Sequence, residues 1–268
     1  MAWGCAESKA LDYGVVTDIP YTVKTDGYAR TRCMLDISFP KDTVGCPVVV
    51  WYHGGGLTGG SKQLPGRLTG IGMVVVGVNY RLLPNVDVDK CLDDCAEALA
   101  WVFRNIDKYG GDPSKIFVSG HSAGGYITAM LGLDKEFMGR YDIDADRIAG
   151  LIPFSGQAIS HFSYRKMNGI PNLQPTVDKY APLFHVRPDA PPLVLITGDR
   201  EMELFGRYEE NAYLWRMMKL VGHKQTCLYE IGGHDHGGMG EPAYSILKRH
   251  LGAILKEREA RESVAQTE

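Results

Sequence analysis

A chain of 268 residues with 44% hydrophobic and 23% charged residues can bury a large core without disulfides or metal, and this composition excludes disorder of the whole chain. Its net charge of −3, from 29 basic and 32 acidic residues, lacks the basic excess of a nucleic-acid binder. One uncharged run, Ile116 to Leu133, approaches the length of a membrane span, but Ser119, Gly120, His121, Ser122, Gly124, Gly125 and Thr128 interrupt it and leave it too polar to be one.

Met1 to Ala10 shows no charged start followed by an apolar stretch, so no signal peptide is visible. The expected protein is soluble, and its compartment stays open between cytoplasmic and secreted with a signal removed. The six cysteines, Cys5, Cys33, Cys46, Cys91, Cys95 and Cys227, are too sparse for a disulfide framework and read as buried free thiols.

In chain order, Val15 to Val23 and Arg32 to Phe39 read as strands around the turn-like Thr25-Asp26-Gly27. Pro47 to Tyr52 and Met73 to Val78 are β-branched runs of the kind that fills buried parallel strands. Asp87 to Tyr109 reads as a helix, with Leu92, Cys95, Leu99, Val102 and Ile106 on one stripe and Gly110-Gly111 as its stop. Ile116 to Ser119 is the next strand, Ser122 to Leu133 a helix, and Ile148 to Phe154 a strand. Leu193 to Thr197, Gly206 to Val221 and Thr226 to Ile231 repeat the strand–helix–strand order. Ala243 to Lys256 is the last helix, with a charged tail expected to fray beyond it. This alternation predicts one α/β domain over 1–268: a mostly parallel central sheet with helices on both faces, in three layers. The stretch from Ser155 to Ala190 breaks the rhythm, and a long excursion of that kind suits a wall or partial lid of a site.

Two motifs carry chemistry. Gly120-His121-Ser122-Ala123-Gly124 sits between a predicted strand and a predicted helix, the G-x-S-x-G pattern that exposes a serine nucleophile on a sharp turn. His53-Gly54-Gly55-Gly56 directly follows the strand ending at Tyr52. Its glycines let backbone N–H groups approach a reacting oxygen, which an oxyanion requires. No Lys-Ser or Lys-Thr completes a phosphate-binding loop there.

In this order and context the two motifs, with Asn79-Tyr80-Arg81-Leu82 and Gly111-Asp112-Pro113-Ser114-Lys115-Ile116, resemble the α/β-hydrolase superfamily. Within it the chain resembles hormone-sensitive-lipase-like and acetylxylan- or feruloyl-esterase-like carboxylesterases, from about Val44 to Leu255. The resemblance implies a serine esterase with triad order Ser, acid, His; no cofactor is expected, and no metal, because His234 and His236 around Asp235 have no further ligand near them in the sequence. Its substrate would be a small-molecule ester with a small acyl group, possible examples being acetyl or feruloyl esters of carbohydrates. An amidase, formamidase or peptidase using the same triad is the alternative, and an inactive binding module a third. Ser122 is then the nucleophile, and the amides of Gly55, Gly56 and Ala123 form the oxyanion hole. The family spacing after the Leu193 strand selects Glu201 as the acid, with Asp199 competing and Glu203 the outsider. A His-Gly pair after the last strand selects His236 as base, with His234 as runner-up. His121 and His53 are expected to pack and to order the site. His161, Phe162 and Tyr164, in the 155–190 excursion, are candidates to contact substrate. Neither nucleic acid nor membrane is an expected partner, and the oligomeric state is left open.

Overall fold

The computed structural model describes residues 11–265; Cys5 and the reading of Met1 to Ala10 lie outside them. Eight strands form one sheet in the order β1-β2-β4-β3-β5-β6-β7-β8. Antiparallel pairings join β1 (Tyr13–Pro20) to β2 (Met34–Pro40) and β2 to β4 (Val74–Val78). The remaining pairings are parallel, through β3 (Cys46–Tyr52), β5 (Gly111–His121), β6 (Gly150–Phe154), β7 (Leu193–Gly198) and β8 (Thr226–Ile231). Every residue of β4, β6 and β7 is buried, which explains why these strands read as continuous apolar runs rather than alternating ones.

Helices cover both faces. On one face α2 (Val88–Asn105) and α3 (Ala123–Leu133) pack with Leu214 and Met218 of α6 (Arg207–Leu220) over Val48, Val50, Val76 and Val118. On the other, α7 (Gly240–Ala265) lays Ala243, Leu247, Leu251 and Ile254 on Val49, Trp51, Phe117 and Phe154. The adjacent strand residues Val48 and Val49 thus serve opposite layers, as the pleat requires. Asp87 caps α2 by accepting from the Lys90 N–H, and the helix tightens to a 3-10 turn over Ile106–Tyr109 before left-handed Gly110 (φ 75°) ends it. All eleven residues of α3 are buried, so this helix has no polar face to present.

Three elements differ from the sequence expectation. The turn at Thr25-Asp26-Gly27 opens a short helix, α1 (Gly27–Arg32), because the Asp26 carboxylate accepts from the Ala29 N–H and supplies an N-cap. After the short α4 (Lys135–Gly139), the 155–190 excursion contains α5 (Phe162–Met167) and a 3-10 turn at Pro182–His185. The tail after Lys256 continues α7 instead of fraying there, and Arg258 Nη1 donates to the Ser114 carbonyl at 2.9 Å. Cys33, Cys46, Cys91 and Cys95 are buried free thiols, and Cys227 is half-buried.

One buried ion pair braces the sheet beside the site. Asp94, on α2, is 0% exposed and takes Arg81 Nε and Nη2 at 2.7 Å each and Lys24 Nζ at 2.8 Å. Two-point contact with a guanidinium satisfies both carboxylate oxygens, which a buried charge needs to be tolerated. Arg81 follows β4 closely, so the bridge fixes α2 against the segment whose Tyr80 ring stacks on His53.

Candidate active site

Ser122 stands where β5 turns into α3. Its backbone is at φ 57°, ψ −114°, in the left-handed half of conformational space that costs any side-chain-bearing residue. The surroundings enforce that turn. A Cβ on Gly124 would lie 1.9 Å from the Tyr52 carbonyl oxygen, and one on Gly120 would lie 2.4 Å from the same atom. Only glycine allows α3 to approach β3 so closely, and the serine is thereby lifted above the C-terminal ends of the strands. The Ser122 N–H donates to the Phe154 carbonyl at 2.8 Å, tying the turn to β6.

His236 follows β8, and its Nε2 lies 2.8 Å from Ser122 Oγ. Its Nδ1 lies 2.9 Å from Glu203 Oε2. A carboxylate only accepts, so the imidazole proton is on Nδ1, and Nε2 is left bare to accept from the serine hydroxyl. Glu203 has both oxygens occupied: Oε1 accepts from Ser155 Oγ at 2.6 Å and the Gly198 N–H at 2.9 Å, and Oε2 also accepts from the Leu204 N–H at 3.1 Å. Burial alone would raise this carboxyl, but hydrogen bonds from His236, Ser155 and Gly198 outweigh burial and hold its pKa at about 2.

Glu203, the outsider by loop spacing, therefore takes the place expected of Glu201 or Asp199. The reason is the curl of the loop after β7. The Met202 and Glu203 N–H groups both donate to the Asp199 carbonyl, a helical turn that points Glu201 outward and Glu203 in toward the sheet. Glu201 is exposed. The Asp199 side chain accepts from the Glu201 N–H at 3.0 Å and from the Gly233 N–H at 2.7 Å, so it ties the acid loop to the histidine loop. His234 is exposed, with its ring 3.1 Å from the Gly232 carbonyl, away from the serine.

The depressed Glu203 carboxyl makes stability depend on acid. The unfolded chain takes up this proton near the ordinary glutamate value of 4.5, whereas the folded chain resists until about 2. The stabilisation is thus complete above the higher value and lost as pH falls toward the lower. Between about pH 6 and about pH 3.5 the loss is on the order of 1 kcal/mol. Denaturant titrations at the two pH values should show a loss smaller by that amount in Glu203→Gln; equal losses in both proteins would contradict the assigned bonding.

The glycine loop lies alongside. A Cβ on Gly54 would come within 3.5 Å of Ser122 Cβ. Gly55 and Gly56 have φ of 109° and 64°, and a Cβ on Gly55 would lie 2.3 Å from the Gly59 carbonyl oxygen. Ala123 opens α3, where a backbone N–H has no partner within the helix. The His53 ring stacks on Tyr80 at 4.4 Å, donates from Nδ1 to the Gly54 carbonyl at 2.6 Å and accepts from Arg32 Nη2 at 3.3 Å. Burial pushes the His53 pKa down to about 4, so it stays a neutral brace. His121 Nε2–H donates to the His236 carbonyl at 2.7 Å. Burial, then the neighbouring His236, lowers the pKa of His121 to about 4, so it fixes the backbone of the base without adding a positive charge.

The three excursion candidates separate. His161 is 1% exposed, lies among Tyr126 and Phe162, and caps α5 by accepting from the Ser163 N–H at 3.1 Å. It is a packing residue. Tyr164 is half-buried, packing edge-on against Tyr180 at 5.0 Å and against the core. Phe162 alone reaches the glycine loop: its ring would be 3.1 Å from a Cβ on Gly56, whose carbonyl accepts from Ser163 Oγ. A cavity of about 400 Å³ opens beside it, lined in part by Thr58, Leu83, Pro84, Lys166 and Met167. Among the described residues no group of three His, Cys, Asp or Glu side chains is placed to hold a metal ion, and no helix is long and apolar enough to cross a membrane.

A serine after the fifth strand, an acid after the seventh and a histidine after the eighth, on a mostly parallel eight-stranded sheet, decide the architecture. This chain has the α/β-hydrolase fold. The family model described as BD-FAE matches residues 35–149. The chain is 27% identical over 229 residues to esterase LipC of Mycobacterium tuberculosis, a match covering 76% of this chain and 56% of that protein. It is 36% identical over 130 residues to carboxylesterase NlhH of the same species, covering 47% of this chain and 37% of the relative. It therefore spans between about a third and about a half of the length of these relatives. Among solved structures, a truncated carbohydrate esterase from gut microbiota superposes with a TM-score of 0.73 at 16% identity, covering 92% of this chain and 98% of that one. Esterase B from Lactobacillus rhamnosis gives 0.73 at 21% identity, covering 94% and 90%.

Proposed function

We propose that this chain is a serine carboxylesterase acting on small acyl esters through an acyl-enzyme. The observation that carries the reading is the 2.8 Å contact between His236 Nε2 and Ser122 Oγ, with Glu203 behind the imidazole. His236 takes the serine proton as Ser122 Oγ attacks the ester carbonyl. Glu203 holds the tautomer and stabilises the imidazolium. The amides of Gly55, Gly56 and Ala123 receive the oxyanion, each such donor contributing on the order of 3 kcal/mol in the transition state. His236 then protonates the leaving alcohol, and water repeats the sequence on the acyl-serine to release the acid.

Acetyl or feruloyl esters of carbohydrates are the substrates we favour. Support comes from the likeness to a carbohydrate esterase and from the cavity beside Phe162, whose Leu83, Pro84 and Met167 suit an aromatic acyl group. The 155–190 segment, clamped to the glycine loop by Ser163, forms a wall of the site. A panel of p-nitrophenyl acetate, acetylated and feruloylated sugars and matched amides tests the proposal. Esters should be cleaved at least about a hundredfold faster than amides, because an amine is the poorer leaving group. A fluorophosphonate should label Ser122. An intact protein that neither labels nor cleaves any ester would overturn the proposal.

A further inference from the structure

We infer that Ser155 is a positioning residue, its hydroxyl holding the Glu203 carboxylate and the His236 imidazole in register with Ser122; the inference rests on the hydrolase reading above. Ser155 directly follows β6 and is fully buried. Its Oγ–H donates to Glu203 Oε1 at 2.6 Å, and the same oxygen lies 2.9 Å from His236 Nδ1. With its own proton directed to the carboxylate, the oxygen meets the imidazole through a lone pair and accepts from Nδ1–H, which Glu203 Oε2 shares. One hydroxyl thus bridges both ends of the acid–imidazole bond and closes a ring of three polar contacts. Either partner could swing about a single hydrogen bond; neither can swing about two.

The backbone of Ser155 is fixed as firmly as its side chain. Its N–H donates to the Ile196 carbonyl at 2.7 Å, and its carbonyl accepts from Nη1 of Arg207, a residue 2% exposed. These ties hold φ at 46°, a left-handed conformation that favours glycine. A serine here bears strain that a glycine would not, and what the serine adds is the hydroxyl at the centre of the ring. Strain of this kind persists where the surrounding structure over-determines it, and it clusters at functional sites.

Ser155→Gly separates position from packing, because it removes the hydroxyl while relieving the backbone. The expected result is a folded protein, the relieved backbone strain offsetting the lost hydrogen bond, with kcat for p-nitrophenyl acetate reduced about tenfold or more and KM within about twofold. The downfield proton resonance of His236 Nδ1–H should move or broaden by exchange. A kcat within about threefold of the parent, with the resonance unmoved, overturns the inference. If the glycine variant does not fold, Ser155→Ala is read by the same two measurements. If the parent cleaves no ester, the esterase reading fails by itself, and the resonance, which needs no substrate, still decides whether Ser155 positions the imidazole.

Discussion

Ser122→Ala is expected to reduce kcat/KM for an activated ester by roughly 10⁴- to 10⁶-fold, the scale on which removing one member of a serine–histidine unit disables the whole. The proposed mechanism has no second nucleophile. The oxyanion amides and the binding surfaces stay in place, so a residue of catalysis over water should remain. The fold should stay intact, because the Ser122 side chain makes its hydrogen bond to His236 while the turn is held by backbone, through the Ser122 N–H on Phe154 and the close approach of Gly120 and Gly124 to Tyr52. Burst-phase and steady-state assays with circular dichroism check both parts. Normal turnover in the alanine variant would remove Ser122 from the chemistry.

Glu203→Gln should lower kcat by roughly 10²- to 10⁴-fold, whereas Glu201→Gln and Asp199→Asn should stay within about tenfold of the parent. The amide keeps the shape of the side chain but cannot neutralise the imidazolium, and its NH₂ can turn toward Nδ1 and favour the wrong tautomer. Glu201 is exposed and makes no contact with the imidazole, so its loss changes little. Asp199 holds the Gly233 N–H, and losing that bond loosens the histidine loop without removing the acid. The ranking is read from kcat of the three purified variants. A larger loss in Glu201→Gln than in Glu203→Gln would overturn the assignment.

The same three carboxylates mark where sequence reasoning stops. The layered architecture was legible because the central strands, buried on both faces, read as short β-branched runs, while α2 carries one apolar stripe at helical spacing. Ser122 was placed by the rule that a G-x-S-x-G run between a strand and a helix must turn sharply, and the glycines around it do meet backbone within van der Waals distance. The acid obeys no such spacing. Which carboxylate faces inward depends on one turn of chain after β7, closed by the Asp199 carbonyl, and acids two residues apart look alike in a string of letters. His161 misled for a related reason: an aromatic beside polar residues reads as a binding surface, yet its ring is spent on capping a short helix inside the core. The bridging role of Ser155 left no signal, since its distance along the chain from both partners carries no pattern.

The strand leading to His236 is the outermost of the parallel set. β8 pairs only with β7 and has no fully buried residue, whereas β5, which leads to Ser122, is flanked on both sides and buried through Ile116 to Gly120. The nucleophile therefore rides on the stiffest part of the molecule and the base on its periphery. Peripheral strands open at lower free energy than central ones. Gentle heating should consequently silence the protein by letting the imidazole drift before the centre melts, with the amides of β8 exchanging for deuterium well ahead of those of β5.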